Sequence, residues 1–114
     1  MTRPISDITG YHAHIYFRNE AEKQTALALR DVLGQLADAR LGRVHERPVG
    51  PHPVGMYQVA FPPHLFPHIV PLLMLNRAGL SVLVHPETGD DLSDHTIHPL
   101  WLGEPLPLNT DIFE

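Results

Sequence analysis

Cysteine is absent from the sequence, which removes disulfides, thiolate metal sites and cysteine nucleophiles. Basic residues are scarce. Eight lysines and arginines stand against thirteen aspartates and glutamates, the net charge is −5, and no basic run occurs. That balance argues against nucleic acid or an anionic membrane as the main partner. No apolar run approaches the roughly 20 residues of a membrane span. Met1 to Gly10 lacks the apolar core of a signal peptide, so a cytoplasmic setting is expected. The Gly-rich phosphate loop, the Gly-x-Ser-x-Gly elbow and the zinc-protease helix motif are missing too.

Histidine and proline, by contrast, are plentiful, with nine and twelve copies in 114 residues. Imidazole is the commonest protein metal ligand and titrates nearest neutrality. The histidines are dispersed, so the fold must gather them before they can act together. At 43% hydrophobic the chain is expected to fold as one domain over residues 1–114, small enough to gain from association.

Taken in order, residues 1–10 read as a polar lead-in to a first strand, Tyr11 to Phe17. Alternation sends Tyr11, Ala13, Ile15 and Phe17 to one face and His12, His14 and Tyr16 to the other. Asn19 is placed as an N-cap with Glu22 in capping-box position, opening a helix over residues 20–37. Leu29, Val32, Leu33 and Leu36 form its apolar stripe. Arg43 to Arg47 reads as a second strand, followed by a stiff proline connection from Pro48 to Pro53. Met56 to Phe61 forms a third strand, paired antiparallel with the second. A second helix follows from about Pro67 to Arg77 with Pro71 inside it, and Leu80 to His85 is a fourth strand. From Pro86 the chain reads as an irregular C-terminal extension.

The order βαββαβ is that of an α+β, ferredoxin-like fold: an antiparallel sheet with two helices on one face. With the apolar face of the first strand under the helices, His12, His14 and Tyr16 lie on the open face, and His85 can join them.

His12 and His14, two apart on a strand, project about 7 Å from one another on one side. They can converge on one ion, or simply line a polar or interface surface. His85 adds a third imidazole, with Glu87 at the same parity and Asp90, Asp91 and Asp94 in the following turn. Two or three imidazoles with a carboxylate and open positions would suit non-haem iron. Solvation and capping are the ordinary roles for the aspartates. His52, bracketed by Pro51 and Pro53, can be a ligand, an acid–base group or a rigid loop residue. Arg43 and Arg47 share a strand face with His45, where either can bind a carboxylate or protect a sheet edge. His64 and His68 read as surface residues. Asp94 with His95 can orient a general base or serve the structure of the tail.

Tyr-His-Ala-His-Ile-Tyr-Phe at 11–17, Arg-Pro-Val-Gly-Pro-His-Pro at 47–53 and the segment Leu75 to Leu92 resemble the DOPA 4,5-dioxygenase family of the fungal-pigment type. Asp-His-Thr at 94–96 and Trp-Leu-Gly at 101–103 continue the match. The resemblance implies one dioxygenase-like domain, ferredoxin-like and homodimeric. It also implies extradiol cleavage, in which Fe(II) and O2 open the ring of DOPA or a related aromatic diol. Zinc or another divalent ion can occupy such a site. On this sequence the implied iron ligands are His14 and His85, then His12 and His52. Whichever of His52 and His12 does not ligate serves as acid–base residue, and Arg47, Arg43 and Tyr16 meet the substrate. Two other readings compete with it. One is a non-catalytic dimeric binding module whose open face meets its twin; the other is a zinc- or manganese-dependent isomerase or hydrolase.

Overall fold

A computed structural model of the chain describes residues 2–113. Its elements are β1 (Gly10–Phe17), α1 (Glu20–Leu33), β2 (Arg40–Leu41), β3 (Gly55–Phe61), α2 (Phe66–Asn76), β4 (Val82–Glu87), α3 (Asp91–Thr96) and β5 (Leu100–Leu102). Short 3-10 turns span Ile5–Asp7, Pro63–Leu65 and Thr110–Phe113. All pairings are antiparallel, in the order β2-β3-β1-β4-β5. The first four strands thus take the expected ferredoxin-like order, and β5 extends it.

Alternation along β1 separates two cores. Ala13, Ile15 and Phe17 join Tyr57, Val59 and Phe61 of β3 beneath Ala26, Leu29 and Leu33 of α1 and Ile69, Val70 and Leu73 of α2. Leu33, Ile69 and Leu73 are fully excluded from solvent, and burial of each stabilises the fold by about 2 kcal/mol. The Asn19 side chain accepts from Glu22 N at 2.9 Å, fixing the start of α1. The helix ends at Gly34 rather than at residue 37. Glycine is a poor helix former, and Leu36 still reaches the core from the turn beyond.

Three expectations need correction. The second strand is not Arg43 to Arg47. Ladder pairing occupies Arg40 and Leu41 and continues through Gly42 N to Gln58 O, then resumes only at a bridge between His45 and Met56. From Gly42 to His45 is one residue more than from Gln58 to Met56, so a bulge interrupts the strand where regular pairing was expected.

The C-terminal extension is not irregular either, since it contains α3 and β5. Asp90 caps α3 by accepting from Ser93 N, and Gly89, at φ 93°, turns the chain into it. Strand β4 runs past His85 to Glu87 because Pro86 and Glu87 pair with Tyr11 and Gly10 of β1, whereas β5 pairs only Val82 to Val84. Pro86 therefore sits beyond the end of β5, where a missing N–H is tolerated.

Finally, the second sheet face is not open. Tyr16, Met56 and Leu83 form a small core there with Val54, Trp101, Leu106 and Leu108. The proline loop and the tail that cover it are joined by Asn109 N donating to Pro51 O at 2.8 Å.

Gly55 marks a close approach under that loop. A methyl added there would lie 2.8 Å from Phe17 Cζ and 3.0 Å from the His45 carbonyl oxygen. Gly55→Ala is expected to destabilise the fold by about 1–3 kcal/mol, the scale of overpacking a tight core. Urea unfolding measures this, and an unchanged midpoint would contradict it.

Candidate metal centre

Sheet register assembles the site. His12 of β1 lies directly opposite His85 of β4, and His14 is the next residue of β1 on the same face. The three side chains present ligand atoms that all lie within 4.8 Å of one another. His14 Nε2 and His85 Nε2 face each other at 3.1 Å. Metal–nitrogen bonds are about 2 Å long, so two nitrogens at that separation can share one ion.

Their outer nitrogens are held. His85 Nδ1 donates to the Pro86 carbonyl at 3.0 Å, which leaves Nε2 as a lone pair. His12 Nδ1 lies 3.0 Å from Glu87 Oε1 and donates to it. A ring nitrogen anchored to a carbonyl or carboxylate while its partner points inward is the usual support of a metal-ligating histidine. His14 differs: its Nδ1 is buried without a partner among the described residues. The fit to an ion rests on the convergence of the three imidazoles, whose ligand atoms lie within 4.8 Å of one another. The donor set thus fits a divalent ion.

Burial keeps these rings neutral, as ligation requires. It holds His14 well below the usual imidazole range, with further depression from His52 and His85. Burial pushes His85 down to about 4 and lowers His12. Glu87 is raised, first by burial and then by Asp94 and Asp91.

Two further imidazoles border the three. His52 is 6% exposed, and its ring centroid lies 4.2 Å from that of His14. Burial takes it down to about 4, and burial raises the phenol of Tyr16. Tyr16 is therefore protonated and donates to His52 Nδ1 at 2.7 Å, leaving the proton of His52 on Nε2. His95 lies over His85, with centroids 4.1 Å apart. Its Nδ1 donates to the Asp91 carbonyl at 2.7 Å, which fixes the orientation of the ring. Asp94 makes this placement: it is buried and accepts from Thr88 N and Thr88 Oγ1, tying α3 to the end of β4. Phe113 packs on the outer side of His95 at 4.6 Å.

The Dopa 4,5-dioxygenase family model matches residues 11–112. The chain belongs to this family. It is 44% identical to the DOPA 4,5-dioxygenase of Amanita muscaria, over 91% of this chain but 49% of that protein. It is 36% identical to an uncharacterized 21.2 kDa protein of Botryotinia fuckeliana, over 97% of this chain and 68% of the other. The chain thus spans about half the length of the Amanita relative. A crystal structure from Nostoc punctiforme, described as that of a candidate dioxygenase, superposes with a TM-score of 0.93 at 51% identity. That match covers 96% of this chain and 95% of the other.

Within this Dopa 4,5-dioxygenase family domain, the structure brings together His12, His14 and His85 and sets His52 beside them. His52 lies outside the group of three imidazoles whose ligand atoms converge. Tyr16 is 1% exposed and its hydroxyl donates to His52 Nδ1. Arg43 and Arg47 are exposed on the bulged segment and take no part in the cluster. His95 and Glu87 are the residues that sequence reasoning undervalued. Asp90 followed by Ser93 is an N-cap signature that could have revealed α3 and placed His95 on it.

Proposed function

We propose that this domain is a dioxygenase that inserts O2 into an aromatic diol, opening the ring beside the diol, with His14, His85 and His12 holding a ferrous ion. The observation that carries this reading is the convergence of three neutral imidazoles in a family of dioxygenases. Bound there, iron would supply the one-electron chemistry that lets a diol react with O2. Zinc in the same place would hold the fold but lacks that redox chemistry.

The chain's own groups supply hydrogen bonds and position. His52, its Nε2–H set by the Tyr16 hydroxyl, donates a hydrogen bond to an oxygen of the reacting diol, on which negative charge develops. Glu87 anchors His12 and balances positive charge that develops on that ring. The covering tail, through Trp101, Leu106 and Leu108, excludes water from the buried side of the cluster. His14, His52 and His85 are buried within a single chain, which speaks against the reading in which they line a surface shared with a twin.

Protein purified without added metal should be analysed for metal, then loaded anaerobically with ferrous iron and given a catechol panel in an oxygen electrode. Oxygen uptake with a yellow, ring-opened product is expected, in an equimolar ratio of O2 to diol. His52→Ala is expected to lower kcat about 100-fold, the scale of one hydrogen-bond donor to developing charge, with iron content unchanged. Iron-loaded protein that consumes no O2 with any catechol would sink the proposal, and resident zinc or manganese would favour hydrolase or isomerase chemistry.

A further inference from the structure

One row of side chains crosses the sheet beside the candidate ligands. Arg40 pairs with Ala60, Ala60 with His12, and His12 with His85. Residues directly opposite on neighbouring strands share a face, so Arg40 lies on the same side as the imidazoles. It sits two strands, or about 10 Å, from His12. The small Ala60 between them leaves a depression. A cleft of about 330 Å³ opens there, lined among others by His12, Glu87, Arg40, Asp38 and Phe61.

The charges in this cleft are unevenly committed. Glu87 is engaged with His12, and Asp38 lies 3.1 Å from His64 Nε2. Among the described residues, Arg40 makes no side-chain hydrogen bond and no ion pair. His14 and His85 are 2% and 1% exposed, whereas His12 retains solvent access and lines the cleft. A small molecule therefore reaches the cluster from the His12 side, passing Arg40.

We infer that Arg40 is the specificity-determining residue of the site, binding a carboxylate on the side chain of a diol substrate whose ring lies over Ala60 toward His12. The inference rests on the diol reading above and adds the charge of the substrate. Its chemistry is that of a guanidinium fork, which suits a planar carboxylate better than any other small anion short of phosphate. The ring would rest against Ala60, which lines the same cleft.

Isothermal titration of the zinc-loaded protein separates the possibilities, because zinc holds the site without turnover. The probes are 3-(3,4-dihydroxyphenyl)propionate as anion, 4-methylcatechol as neutral diol and dopamine as cation. Wild type should bind the anion at least about ten-fold more tightly than the neutral diol, the scale of one hydrogen bond to a charged group. In Arg40→Gln that preference should vanish, and Arg40→Lys should recover part of it. Arg40 is exposed, so folding of both variants is checked simply by thermal melts.

Equal binding of anion and neutral diol by wild type overturns the inference, as does an undiminished preference in Arg40→Gln. Loss of the preference in Arg43→Gln or Arg47→Gln instead would move the role elsewhere and also overturn it. Failure of every diol to bind would overturn the diol reading along with it. Binding of the diols with the expected preference, but no O2 uptake by the iron form, would leave Arg40 standing and remove the dioxygenase.

Discussion

Replacing His14 or His85 by alanine is expected to weaken divalent-metal binding by more than about 100-fold. Loss of an outer-sphere partner alone costs 10–100-fold, and removing a direct ligand exceeds that. The two Nε2 atoms face each other at 3.1 Å, so either substitution removes half of the closest nitrogen pair. Metal content after dialysis, and titration with Co(II) followed by its visible spectrum, would measure the loss. The same variants test whether the cluster is merely structural. His14→Ala removes a buried nitrogen that has no partner among the described residues, but it also takes from His85 Nε2 its partner at 3.1 Å and opens a cavity. His14→Ala is thus expected to be destabilised without metal and, in addition, to lose the stabilisation that added metal confers on wild type. Metal uptake equal to wild type in both variants would refute the assignment. Glu87→Gln should show an intermediate effect of about ten-fold, because His12 keeps a hydrogen-bond acceptor without the charge.

Acid should unfold the metal-free protein between pH 6.5 and 4. Burial lowers His52 and His85 in the folded state from 6.5 to about 4. For such groups the unfolded chain binds more protons than the native one throughout this window, so stability rises with pH across it. Their contribution is fully present above 6.5 and is lost as pH falls toward 4. Each group accounts for about 3 kcal/mol over that range. His14 and His12 are lowered by burial and act in the same sense. Glu87, raised by burial, acts in the opposite sense as its carboxyl protonates in the fold, but it is one group against four. Thermal melts at half-unit steps should therefore show Tm falling steeply below pH 6.5. Added divalent ion should raise Tm near neutrality and lose its effect as protons compete for the imidazole lone pairs. A Tm that stays flat from pH 7 to 4.5 would show that the rings are not buried as described.

Much of the scaffold could be read from periodicity. Alternation from Tyr11 to Phe17 assigned each side chain to its face, and the stripe of Leu29, Val32, Leu33 and Leu36 located α1, although Val32 is 43% exposed and stays out of the core. Both signals are local, and both survive because one face of each element must be buried. The second strand was misplaced because a bulge leaves no mark in a pattern of period two. The tail was misread because α3 and β5 are too short for a period to develop. Its helix is held by Asp94 and Thr88, a contact between segments that periodicity does not report.

The site divides along the same line. The amino-acid sequence by itself determined that His12, His14 and Tyr16 share a face, that no thiolate takes part, and which family the chain resembles. Only the tertiary structure decided that His12 meets His85, that His52 and His95 close around them, and that Arg40 occupies their row in place of Arg43 or Arg47. The physical reason is that strand period specifies a face, whereas a partner depends on register. Register is settled by which apolar sets can be buried together, and a slip of one residue would turn every imidazole to the wrong side.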